Sequence, residues 1–192
     1  MIHNILESHQ TRVTKPKPGT VNIVNMPNSI GQPYLRLSAP HQRIVIAAPR
    51  LDDAPQLLEI LNDPAVYRWV TAPPYPYSTE HAISWLTQVK ADADEIWNEL
   101  EKANAESPDG PFKIVNGCPI RSILEENDDG TYTFLGACSL ERYGFDDVKD
   151  DEKRTHLVQE NNARPTGDPD IIWTMGSTCA QTRPTRIDAM PF

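Results

Sequence analysis

The chain has 192 residues, 39% hydrophobic and 23% charged, which predicts one globular domain whose core needs no covalent staples. Lys and Arg total 18 against 27 Asp and Glu, a net charge of -9 that argues against a phosphate-backbone binder, since that needs a basic face. Eighteen prolines against nine glycines predict that much of the chain is extended or loop-like.

Residues 1–40, rich in Pro, Asn, Ser and Thr, read as a flexible N-terminal arm. The cluster Lys15-Pro16-Lys17-Pro18-Gly19 breaks regular structure there. Val21 to Val24 and Tyr34 to Leu37 are possible short strands within the arm. Arg43 to Ala48 has the apolar, β-branched composition of a strand. Asp52 is then a candidate N-cap, and Ala54, Leu57, Leu58 and Leu61 recur at helical spacing until Asn62-Asp63-Pro64 stops the helix. A short second piece, Ala65 to Val70, carries Tyr67 and Trp69.

Thr71 to Tyr77 is a proline-fixed loop with two tyrosines. Ser78 is a candidate N-cap, and Glu80 sits in the first turn, where the helix dipole favours an anion. Ala82, Leu86, Val89, Ala93, Ile96, Leu100 and Ala103 then recur at steps of three and four. That stripe predicts a core-packing helix of about seven turns, with an acidic, solvated opposite face, ending at Ser107-Pro108-Asp109-Gly110. His81 reads as a first-turn residue of this helix rather than a base.

Pro119 to Glu126 alternates, with Ile120, Ser122, Leu124 and Glu126 on one side. Asn127-Asp128-Asp129-Gly130 is a hairpin signal, and Thr131 to Leu140 is the return strand. Gly136 within that strand predicts a bulge or a close backbone approach. Tyr143 to Asp170 is polar and charged and reads as an exposed loop or insertion. Ile171 to Met175 reads as a buried strand ending at Gly176. Residues 177–192 show no period and read as a C-terminal tail.

Most short catalytic signatures are absent. There is no Gly-x-Gly, no phosphate-loop spacing, no His-Glu-x-x-His and no Gly-x-Ser-x-Gly. Cys118, Cys138 and Cys179 have neither disulfide-framework nor zinc spacing, so they read as small hydrophobes, and no metal site is expected. An odd number of unpaired thiols fits a reducing compartment, so a cytoplasmic protein is expected. Met1 to Gln10 lacks the apolar run of a signal peptide. No stretch approaches the roughly 20 apolar residues of a membrane helix.

Three stretches in order, PRLDDAPQLLEILNDPAVYRW, PPYPYSTEHAISWL and FLGACSLER…IIWTMG, resemble the GNAT superfamily of acyl-CoA N-acyltransferases. The likeness is nearest to the branch that acetylates N-terminal amines of ribosomal proteins. It covers roughly residues 43–176 and implies that residues 41–176 form the N-terminal part of such a domain. The implied fold is α/β (α+β): a mixed, mostly antiparallel sheet with helices on both faces. The resemblance implies acetyl-CoA as co-substrate, its pantetheine arm pairing with the strand that contains Trp173, Thr174, Met175 and Gly176. Backbone N–H groups at Met175 and Gly176 would donate to the thioester oxygen. Tyr67, Trp69, Tyr75 and Tyr77 would border the pocket of the amine acceptor, and Glu141 could relay a proton.

The sequence departs from the family pattern after Gly176, where no glycine follows to build the usual phosphate-binding turn. An incomplete domain is therefore expected. No catalytic base, acceptor identity or oligomeric state is assigned, and neither nucleic acid nor membrane is expected as a partner. Two other readings stand beside acetyl transfer. One is a non-catalytic interaction module built on the acidic helix and the Pro/Tyr loop. The other is an unstable product with an exposed apolar strand edge.

Overall fold

The protein is described here by a computed structural model covering residues 34–108 and 113–180. The expected strand at Val21 to Val24, the Lys15 to Gly19 breaker and most of the N-terminal arm lie outside the described residues, as do Asp109, Gly110 and 181–192 of the tail. Five strands form one sheet in chain order: β1 (Tyr34–Arg36), β2 (Ile44–Ala47), β3 (Ser122–Glu126), β4 (Tyr132–Arg142) and β5 (Trp173–Cys179). Every neighbouring pair is antiparallel. A mixed α+β fold with a mostly antiparallel sheet is what the sequence predicts. Among the described residues the sheet is wholly antiparallel.

The core follows from register. Val45 lies opposite Leu124, and Leu124 opposite Phe134, so three strands aim apolar side chains at one face. Ile120, Ser122 and Leu124 are all buried, as their alternation predicts. Against this face pack Leu57, Ile60 and Leu61 of α1 (Ala54–Asn62) and Ala82, Leu86 and Val89 of α3 (Thr79–Glu106). Between them, α2 (Pro64–Tyr67) is a single turn capped by the Asp63 carboxylate, which accepts from the Ala65 N–H at 2.8 Å.

The long helix matches its sequence signature. At 28 residues, α3 runs about 42 Å. The Ser78 hydroxyl accepts from the His81 N–H, and the His81 ring nitrogen accepts from the Ser78 N–H, so His81 closes a capping box. The hairpin also forms as predicted. The Asn127 N–H bonds the Thr131 carbonyl, and Gly130 takes the positive φ of 79° that the turn demands.

Four expectations need correction. Asp52 is not the N-cap: Asp53 holds that position, and its buried carboxylate accepts from the Arg50 guanidinium, not from the helix backbone. Tyr34 to Arg36 is a sheet strand, within the Tyr34 to Leu37 stretch read as a possible short strand, so the arm assigned to residues 1–40 does not extend through it. Its Tyr34 ring is core, and composition alone could not show a partner strand. The segment read as a loop between Tyr143 and Asp170 contains α4 (Asp151–Ala163). That helix carries only the adjacent Leu157 and Val158 as large apolar residues and fully buries only Asn161, so it offers no apolar period to read. Finally, the expected buried strand Ile171 to Gly176 is only in part a strand and is mostly exposed. Ile171 is buried but precedes β5, which begins at Trp173, continues to Cys179 and forms the edge of the described sheet, with Met175 80% exposed.

Gly136 governs how β5 docks. The β3–β4 register shifts beside it, leaving Leu135 as the extra residue of a bulge. Gly136 has φ +152°, and a Cβ there would lie 2.1 Å from the Thr178 carbonyl oxygen and 2.7 Å from the Cys179 Cα. The obstacles are backbone, so the strand would have to move. Gly136→Val is therefore expected to lower stability by about 2–4 kcal/mol in urea unfolding. A loss below about 0.5 kcal/mol would contradict this account of the β4–β5 contact.

Candidate acyl-donor edge and acceptor loop

The backbone of β5 is directional. Its residues pair one to one with β4, from Gly136 opposite Cys179 to Arg142 opposite Trp173. The flanking bonds fix the phase: the Tyr143 N–H donates to the Ile172 carbonyl at 2.9 Å, and the Ala180 N–H to the Leu135 carbonyl at 2.7 Å. In an antiparallel ladder, inward and outward residues alternate. Ile172 and Ala180 both face β4, so Thr174, Gly176 and Thr178 do too. The N–H and C=O groups of Trp173, Met175, Ser177 and Cys179 point away from β4, where no described strand pairs with them. Of the two donors the resemblance singles out, Met175 faces outward and Gly176 is directed at Ser139.

The start of β5 is held by Asn161, 2% exposed at the end of α4. Its side-chain amide donates to the Ile172 carbonyl at 2.8 Å and accepts from the Ile172 N–H at 2.9 Å, as a neighbouring strand would. Arg142 donates to the carbonyls of Asn161 and Arg164, so the end of β4 is tied to the same helix. The Arg142 guanidinium also lies 5.9 Å from the centre of the Trp173 ring.

The Pro/Tyr loop has a matching clamp. Asn62 accepts from the Tyr77 N–H and donates to the Tyr77 carbonyl, both at 2.9 Å. Tyr77 itself is in the core, its ring tilted against His81, and burial pushes its hydroxyl above the ordinary phenol range. It does not face solvent with the other three aromatics. Tyr67 and Tyr75 stack with centroids 4.3 Å apart, while Tyr75 and Trp69 are 62% and 77% exposed. The structure thus joins Tyr67 to Tyr75 and places Trp69 two residues along. No hydrogen bond or ring contact links this group to Trp173, Thr174, Met175 or Gly176 among the described residues.

Sequence reasoning missed both asparagines. Asn62 was legible only as part of a helix stop, and Asn161 lies in a helix with no apolar pattern. Glu141 lies within β4 and ion-pairs with Arg121 at 3.1 Å. No group of His, Cys, Asp and Glu among the described residues could hold a metal, and none of the described helices is long and apolar enough to cross a membrane.

Two predictions follow from these contacts. Asn161→Ala leaves the Ile172 N–H without its partner, while the Ile172 carbonyl keeps the Tyr143 N–H, and urea unfolding should show a loss of about 1–3 kcal/mol. An unchanged midpoint would mean that β5 does not depend on this clamp. Cys138 is half-buried, and burial, then the nearby thiols of Cys118 and Cys179, push its thiol up. With less thiolate at pH 7.5, iodoacetamide should alkylate Cys138 more slowly than a cysteine in a short unstructured peptide. Equal or faster alkylation would mark it as an activated nucleophile.

Residues 43–154, more than half of the chain, match the family described as acetyltransferase (GNAT) domain. The match includes the acceptor loop, the hairpin and the start of α4, and ends before β5. No curated protein and no solved structure matches the chain. A matched span of that extent, on an antiparallel sheet packed with helices, places the chain in the GNAT acetyltransferase family.

Proposed function

We propose that the chain is an acetyl-CoA-dependent N-acetyltransferase whose acceptor is the primary amine of a protein N-terminus or of a small molecule. The observation that carries this reading is the outward edge of β5. There the N–H and C=O groups of Trp173, Met175, Ser177 and Cys179 are spaced as a strand partner would need. An extended, amide-bearing arm such as pantetheine fits that donor and acceptor set by adding on as an extra strand. The exposed side chains of Ile172, Trp173 and Met175 offer it apolar contact.

The thioester supplies an acetyl carbonyl that an unprotonated amine attacks, forming the amide, releasing the thiolate, and leaving the amine's proton to the thiol. The chain's part is to orient and to stabilise charge. The Met175 N–H, which no described strand pairs with, can donate to the carbonyl oxygen as it becomes negative, and a fixed backbone dipole needs no reorganisation at that moment. Tyr67, Trp69 and Tyr75 border the acceptor, and the Asn62 clamp on Tyr77 fixes the loop that carries them.

A pair of proline substitutions tests this edge. Proline removes one N–H, and edge strands tolerate it only where that N–H faces outward. Met175→Pro should cost less than about 1 kcal/mol of stability yet slow acetyl transfer about 100-fold. Gly176→Pro removes a ladder bond and should cost about 1–3 kcal/mol. A wild-type chain that neither binds acetyl-CoA by calorimetry nor acetylates any amine would contradict the proposal.

A further inference from the structure

We infer that Arg68 selects an acceptor that carries a carboxylate close to its amine, and this rests on reading Tyr67, Trp69 and Tyr75 as the acceptor border. Every other arginine among the described residues holds a carboxylate or a backbone carbonyl. Arg68 alone has no such partner among them. Its guanidinium instead lies 5.5 Å from the centre of the Trp69 ring. Stacking on an aromatic face occupies the plane of a guanidinium and leaves its N–H edge free, the edge that takes a carboxylate in two parallel bonds.

The surroundings favour the same ligand. Arg68 stands at the end of α2, a turn fixed by the Asp63 cap and by the Trp69 N–H to Val66 carbonyl bond at 2.9 Å. The guanidinium is thus carried on a set backbone, one residue after Tyr67 of the Tyr67–Tyr75 stack. The chain carries a net charge of -9, and Arg68 is the one guanidinium among the described residues that has neither a carboxylate nor a carbonyl partner to offset an incoming anion.

Two sources share that chemistry, a free amino acid and a peptide that begins with an acidic residue. The test is binding, read without any transfer step. In 15N-labelled protein, the Trp69 indole N–H, assigned with Trp69→Phe, is followed during titration with phenylalanine and with phenethylamine, its analogue without the carboxylate. A second pair is a dipeptide amide beginning with Asp and its Asn counterpart. The carboxylate member of at least one pair should bind about tenfold or more tightly than its analogue, and Arg68→Gln should abolish that preference. The pair that shows the preference names the source. Equal binding within both pairs, no binding at all, or a preference that survives Arg68→Gln would overturn the inference. Acetyl transfer is measured separately on the same protein. Selective binding without transfer leaves Arg68's role standing and removes the enzymatic reading, and transfer without selectivity does the reverse.

Discussion

The β4–β5 ladder can close only because position 136 has no side chain. A Cβ there would sit inside the backbone of Thr178 and Cys179. With Gly136 in place, the bulge at Leu135 twists β4 and the two strands pair over seven positions. The phase of that pairing decides which amides of β5 are spent on the sheet and which face outward. A shift of one residue would exchange Met175 for Gly176 at the outer edge. The candidate chemistry therefore rests on a packing constraint some distance along the strand from where it would act.

Both halves of the candidate site are held by the same device. A buried or half-buried asparagine lends its side-chain amide to the backbone of a segment that has no strand or helix of its own to satisfy it. Asn161 does this for Ile172 at the entry to β5, and Asn62 does it for Tyr77 at the exit of the proline loop. Each makes a donor and an acceptor bond, so each fixes both position and direction. Prolines 73, 74 and 76 stiffen the loop but have no N–H to anchor it, which leaves the anchoring to Tyr77.

Local signals made part of this legible in the sequence. The stripe from Ala82 to Ala103 specified α3, Ser78 its start, and Asn127 to Gly130 the hairpin, because each depends on near neighbours. Gly136 was legible as an anomaly, since a glycine amid Phe134, Leu135 and Cys138 has no reason to be there without a close approach. What stayed hidden depends on distant partners. β1 has three residues and gains its identity from β2. α4 has no apolar face, and its place is set by Asn161 and Arg142. The composition of Ile171 to Met175 suggests burial, which holds for Ile171, yet Ile172, Trp173 and Met175 are exposed because β5 lies at the edge of the described sheet. The residue types near the site were readable from the family resemblance. The outward phase of Met175 and the lack of a carboxylate or carbonyl partner for Arg68 among the described residues were not, because both are statements about what other parts of the chain do.

The most direct test of the account is residue-resolved amide exchange across β5, with and without acetyl-CoA. In the free protein, the amides of Thr174, Gly176 and Thr178 should exchange slowly and those of Trp173, Met175, Ser177 and Cys179 quickly. Adding acetyl-CoA should slow the outward set, Met175 above all, and leave the inward set nearly unchanged. Slow exchange at Met175 before any ligand is added, or no change in the outward set at saturating acetyl-CoA, would contradict the claim that this edge receives the acyl donor.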